Sequence, residues 1–351
     1  MNVRRRSGTP PGRGPPETLN VQTSSSPFAD FDVRIDPWAV EYGSETPTDF
    51  QADEDAVDLE LSVEVDAAHW APIRPAASVN VPELAIVDGV RRMEARLVVA
   101  KDGRSLHGAL GAFGVGVVHC REGRASFGEE VRGRLLIFGS GHVLPAPVTV
   151  SPGLVYHPLS VADDDPDAPL RGLHHQMRVA EEQLARRLAE DERVLVVSDG
   201  PLSIGDNTPG RVVGFVKRLF KLYLGPEHLP VLRALPCGAR TPVFLIRSAG
   251  RFARYSWFIR IAERLRVESD MTGLVRLEVA EGLGVEEAIR LADLTTVTIP
   301  RFVPSRSRDP RSPQNLVPIG ALETHLRRSL GDTRLIHRRL ASLIARELSH
   351  V

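Results

Sequence analysis

Two apolar runs of strand length, residues 84–87 and 194–197, lie far apart in the chain, and each leads into an aspartate followed by glycine, Asp88-Gly89 and Asp199-Gly200. A short apolar run bounded by a turn signal reads as a buried strand. The predicted fold therefore presents two carboxylates at strand ends, each beside a glycine that allows close backbone approach. Paired strand-end aspartates suit hard divalent cations such as Mg²⁺ or Mn²⁺, which take oxygen ligands and keep positions open for water and phosphate oxygens. Such a cluster is the expected scaffold for metal-assisted phosphodiester cleavage. Either Asp-Gly taken alone reads equally as a simple turn.

Around these strands the pattern is that of an α/β core. Residues 93–100 and 108–118 read as further strands at hairpin-like spacing. Residues 172–190 read as a helix, with Leu173, Met177, Ala180, Leu184 and Leu188 at three- and four-residue intervals. A second helix is predicted over 212–224, strands over 241–247, 255–261 and 274–279, a helix over 285–294, and two terminal helices over 319–348, split near Gly331-Asp332. Gly108, Gly111, Gly114 and Gly116 lie inside an apolar run without the strand-to-helix context of a phosphate loop, which favours bulges or tight packing. The uncharged stretch 135–162 is interrupted by Pro145, Pro147, Pro152 and Pro158, so it reads as buried strands and turns and not as a membrane span.

Residues 1–26, rich in Pro, Gly, Ser and Thr, read as a disordered tail with little to bury. Residues 27–80 read as an acidic, β-rich N-terminal extension, and 81–351 as the main domain. Between Glu41 and Asp66 there are ten carboxylates and no Lys or Arg, and 57–66 alternates apolar and acidic residues at strand period. This run is either a solvated sheet face or a surface that docks to a basic partner or covers a basic groove. Over the whole chain 44 Lys and Arg balance 45 Asp and Glu, so any nucleic-acid site must be local. Two cysteines, Cys120 and Cys237, make neither a disulfide framework nor a CxxC pattern, and Arg4, Arg5 and Arg6 are followed by no apolar segment. A soluble, cytoplasmic protein is expected.

The helix over 172–190 adds Glu181 beside its apolar face, four residues after Met177 and three before Leu184. Only three of the 44 basic residues are lysines, Lys101, Lys217 and Lys221, and two of them follow Asp199. Lys217 and Arg218 are placed to hold a phosphate or to stabilise negative charge; a solvated helix face is the plainer reading. Residues 301–350 carry ten arginines against four carboxylates, an excess that suits a DNA backbone or the acidic stretch of the same fold or of a second copy. Within it, Glu323 and His325 are two potential ligands from a terminal helix. No GxxxxGK[ST], GxSxG or HExxH motif is present, which excludes the usual ATPase, serine-hydrolase and zinc-protease readings.

The order Val87-Asp88-Gly89, Glu181 on a helix, Ser198-Asp199-Gly200-Pro201-Leu202, Val213-Gly214-Phe215-Val216-Lys217-Arg218 and finally 318–325 resembles the NurA nucleases over roughly residue 82 to the C-terminus. The resemblance implies an RNase H-like mixed sheet flanked by helices, and Mn²⁺ or Mg²⁺ dependence. It also implies a homodimer and 5′-to-3′ DNA end processing beside a hexameric HerA-type ATPase translocase, in repair or defence. By it, Asp88, Glu181 and Asp199 are metal ligands and Lys217 neutralises developing charge. His325 matches the family's late histidine, with Glu323 as the alternative fourth ligand. Lys217, Arg218, Lys221, Arg327 and Arg328 are the expected DNA contacts. Two other readings accompany this one: a docking subunit of a translocase without cleavage, and an RNase H-like enzyme acting on RNA.

Overall fold

The computed structural model describes residues 26–28, 31–36, 57–76, 83–202, 211–219, 221–249, 251–307, 309 and 311–348. The expected tail, save residue 26, and the carboxylates between 41 and 55 lie outside the described residues. The strands are β1 (Asp32–Ile35), β2 (Val57–Glu60), β3 (Glu83–Lys101), β4 (Arg104–Arg121), β5 (Arg124–Phe138), β6 (Val148–Ser151), β7 (Leu154–Ser160), β8 (Val194–Asp199), β9 (Val212–Val216), β10 (Phe244–Ser248), β11 (Arg251–Arg260) and β12 (Leu274–Ala280). Five α-helices join them among the described residues: α1 (Ala168–Ala189), α2 (Leu229–Ala234), α3 (Val285–Thr298), α4 (Val317–Ser329) and α5 (Thr333–Leu348).

The result is a mixed α/β architecture in which one large, mostly antiparallel sheet is flanked by helices. Its order is β2-β10-β11-β12-β9-β8-β3-β4-β5-β7-β6, with β1 added on β3. Only β3/β8, β8/β9 and β5/β7 pair in parallel. The long β3-β4-β5 meander turns at Asp102-Gly103 and Glu122-Gly123, where both residues of each pair have positive φ, the backbone that a tight hairpin of this twist requires.

Alternation along the central strands assigns the two faces. Leu84, Ile86, Leu195, Val197, Val213 and Phe215 point to the side covered by α3 and α4. Ala85, Val87, Val194, Val196 and Val212 point to the side covered by α1. The glycines of β4 set how near the helices come. A Cβ on Gly111 would lie 2.6 Å from Leu173 of α1, and one on Gly116 would lie 3.2 Å from Leu322 of α4. Tight packing, not phosphate binding, is their role.

The structure corrects three sequence expectations. Residues 84–87 and 93–100 are not separate strands, and Asp88-Gly89 is not a strand end: β3 runs through it, with Gly89 opposite Val115 of β4. The described residues of 212–224 form no helix. The first five residues form β9, buried throughout between β8 and β12, and a strand covered on both faces reads as a continuous apolar run without alternation. The alternating run 57–66 is a strand only to Glu60. Beyond it, the Glu64 carboxylate accepts from the buried Arg240 at 2.7 and 2.8 Å and from the Val243 amide at 2.7 Å, so this acidic residue is spent inside the fold. No helix among the described residues is long and apolar enough to cross a membrane.

Candidate metal centre

Strand register brings the two aspartates together. Val87 and Ser198 are partners in the parallel pair β3/β8, so the next residue on each strand, Asp88 and Asp199, projects from the same face as its neighbour. That face is the one carrying Ile86 and Val197, beneath α4. On the other side of β8, Asp199 is level with Phe215 of β9, and Lys217 follows two residues later on the same face. The Lys217 Nζ donates to Asp199 Oδ2 at 2.6 Å and to Asn315 Oδ1 at 3.1 Å. From above, α4 supplies Glu323, which sits next to the buried Leu322. Asp88, Asp199 and Glu323 each offer a carboxylate oxygen, and these atoms all lie within 4.8 Å of one another.

The electrostatics of this group call for a cation. Asp88 Oδ1 accepts from the Gly89 amide at 2.8 Å, but Asp88 Oδ2 and Asp199 Oδ1 are buried with no hydrogen-bond donor among the described residues. Leaving a buried acceptor unpaired costs about 1–3 kcal/mol, more when it is charged. Burial, followed by the charges of Asp199 and Glu181, holds the Asp88 carboxyl well above its ordinary pKa. Burial works against the Lys217 ammonium as well, but Asp199 and Asp88 outweigh it and raise its pKa. Glu323 is already bound by Arg311, whose Nη1 lies 2.8 and 2.7 Å from its two oxygens. Among the described residues, Lys217 thus faces two aspartates with two oxygens to spare. An all-oxygen set of carboxylates fits a hard divalent ion.

The other predicted residues are placed differently. Glu181 lies across the sheet on α1, against Gly89, and stands outside the group of mutually close ligand atoms. Its Oε2 accepts from Arg178 at 2.6 Å, and Arg178 also donates to the backbone oxygens of Asp199 (3.0 Å) and Pro201. Burial raises the Glu181 pKa, with Arg178 opposing and Asp199 adding to the rise. His325 does not join the three carboxylates. Two residues along a helix is about 200° of rotation, and its ring stacks on Phe127 (centroids 4.2 Å apart) with Nε2 against Glu130 of β5. Arg218, Lys221, Arg327 and Arg328 are exposed. Lys221 sits over the Tyr223 ring at 5.4 Å, and Arg327 lies 3.9 Å from Glu323. Asn315, Arg311 and Arg178 were not anticipated, since nothing in local sequence marks them.

No family model matches the sequence, and no curated protein is similar to it. Among solved structures, the chain is similar to the crystal structure of the NurA nuclease from Sulfolobus solfataricus, with 11% identity and a TM-score of 0.40 over 65% of this chain and 76% of that one. It is also similar to the catalytic domain of human endonuclease V, with 15% identity and a TM-score of 0.34 over 74% of this chain and 90% of that one.

Proposed function

We propose that this protein is a divalent-metal-dependent nuclease that hydrolyses phosphodiester bonds in DNA. The observation that carries the reading is the buried group of Asp88, Asp199 and Glu323, with two donorless carboxylate oxygens and Lys217 alongside. Bound there, Mn²⁺ or Mg²⁺ would supply Lewis-acid stabilisation of the phosphate and a water of lowered pKa. The protein's own groups do the rest. Asn315 and Asp199 fix the Lys217 ammonium, which adds a positive charge beside a phosphate held at the carboxylates. Arg178 grips the backbone on either side of Gly200 and so holds Asp199 in place. Arg311 donates to both Glu323 oxygens and keeps the carboxylate aimed.

The finer assignment follows the resemblance of the motifs around Asp88, Asp199 and Lys217 to the NurA nucleases. On that basis the protein acts as a homodimer, processes DNA ends 5′ to 3′ and works with a HerA-type ATPase. The test is cleavage of end-labelled linear DNA, with matched RNA as comparison, by the purified protein with Mn²⁺, Mg²⁺ or EDTA, with and without such an ATPase. Metal-dependent DNA cleavage lost in Asp199→Asn and Glu323→Gln is the expected result. Cleavage that survives EDTA, or is unchanged in both variants, defeats the assignment.

A further inference from the structure

At the edge of the sheet where β3 and β8 begin, a cavity of about 1220 Å³ opens between the β4-β5 turn, α3 and the first turn of α4. Six arginines line it: Arg121, Arg124, Arg193, Arg211, Arg290 and Arg301. The carboxylates in its wall are taken. Glu83 contacts His119 at 3.0 Å, Asp191 binds Arg193 at 2.7 Å, and Glu122 lies 3.5 Å from Arg121. Arg211 and Arg290 share one carboxylate, Glu287, at 3.0 and 2.5 Å. Arg124 and Arg301 are exposed, and neither side chain has an ionic partner among the described residues. The cleft therefore carries a surplus of positive charge although the chain as a whole is near neutral. Leu84, Leu294 and Phe302 give it an apolar floor.

An arginine rim over an apolar and aromatic floor is the pairing that holds single-stranded nucleic acid, with cations tracking phosphates and bases lying against the floor. The volume exceeds the roughly 300–1,000 Å³ usual for small-molecule sites, which favours a chain over a mononucleotide. Leu84 in this floor and Asp88 at the metal centre are four residues apart on one face of β3, about 13 Å by strand rise. A stacked strand rising ~3.4 Å per nucleotide crosses that distance in about four nucleotides, and a somewhat longer one has length to pass around α4.

We propose that this arginine-lined cleft binds a single-stranded segment of nucleic acid next to the metal centre. The proposal rests on the nuclease reading for its role, but binding is measured without cleavage, so the two fail separately. The full chain in EDTA is titrated with a fluorescent single-stranded oligonucleotide of about 12 nucleotides, and with the same sequence as a duplex, across a range of salt. Arg124→Ala/Arg301→Ala should weaken single-strand binding about tenfold and flatten the slope of log K against log salt by about 1.4, since each lost phosphate contact contributes ~0.7. Arg334→Ala/Arg338→Ala, exposed on α5, should leave the slope unchanged. An unaltered slope in the cleft variant, an equal loss in the α5 variant, tighter binding of the duplex, or no binding by the parent chain each overturns the proposal. Slope loss in a protein that never cleaves DNA leaves it standing and removes the nuclease reading instead.

Discussion

A Cβ atom at Gly89 would lie 2.5 Å from Oε1 of Glu181 and 3.0 Å from Cγ of Met177. The glycine beside Asp88 is therefore a gap through which α1 settles on the sheet, and it keeps the buried Glu181 carboxylate next to the centre. Gly89→Ala should lower stability by about 1–3 kcal/mol through overpacking and reduce cleavage at saturating metal. Denaturant unfolding together with metal-dependent activity checks this; a variant as stable and as active as the parent contradicts the packing assigned to Gly89.

Asp199→Asn removes a charge from a centre with two donorless oxygens. Calorimetric titration with Mn²⁺ should show affinity falling by at least about tenfold while the chain stays folded, because the amide oxygen can still accept from Lys217 and Asp88 still faces the ammonium. Loss of fold in place of loss of binding would recast Asp199 as a purely structural partner of Lys217.

Lys217→Met separates metal binding from charge stabilisation. Removing the ammonium leaves Asp199 without its 2.6 Å partner, so Mn²⁺ should bind at least as tightly as before. The cleavage rate should nevertheless drop by about 10²-fold or more, the scale seen when a charge-stabilising donor is removed. Equal losses in affinity and rate would instead mark Lys217 as a support for the ligands.

Far from the carboxylates, the buried Glu94 accepts from Arg92 (2.6 Å), Arg134 (2.6 and 2.8 Å) and the Tyr156 hydroxyl. The same two arginines donate to the Leu330 carbonyl at the end of α4. Glu94→Ala would leave two guanidinium groups uncompensated and should destabilise by about 3–5 kcal/mol. Because α4 also carries Glu323, Mn²⁺ affinity should fall even where the variant still folds, as titration below its unfolding midpoint will report.

Burial, then the charges of Arg91, Arg178 and His175, lower the His174 pKa from 6.5 to about 4. Between those values the unfolded chain takes up a proton that the folded chain refuses, so stability falls as pH drops from 6.5 toward 4. His174→Gln should remove part of that loss, about 2 kcal/mol by the bottom of the window. Urea melts at pH 7 and near pH 4 give the comparison; an identical pH dependence in parent and variant rules the histidine out.

The aspartates were legible because the signal is local: an apolar run, an acid, a glycine. That Asp88 lies in mid-strand was not, because whether Gly89 turns or stays extended is decided by β4 pairing with it from the far side of a hairpin. The apolar segment Val-Val-Gly-Phe-Val at 212–216 has no period to read, and only its burial between β8 and β12 makes it a strand. Choosing between Glu323 and His325 needs the azimuth of α4, which Leu322, Leu326 and the glycines of β4 set through long-range packing. Asn315 and Arg311 belong to an irregular segment with no pattern of its own.

Glu323 rides on α4, whereas Asp88 and Asp199 come from strands laid down much earlier in the polypeptide. During synthesis the two strand carboxylates are made first, and the third arrives only when this late helix docks over β3 and β4. An unfinished or clipped product ending before α4 therefore carries an incomplete cage. Whatever the three carboxylates hold together is withheld until the fold closes.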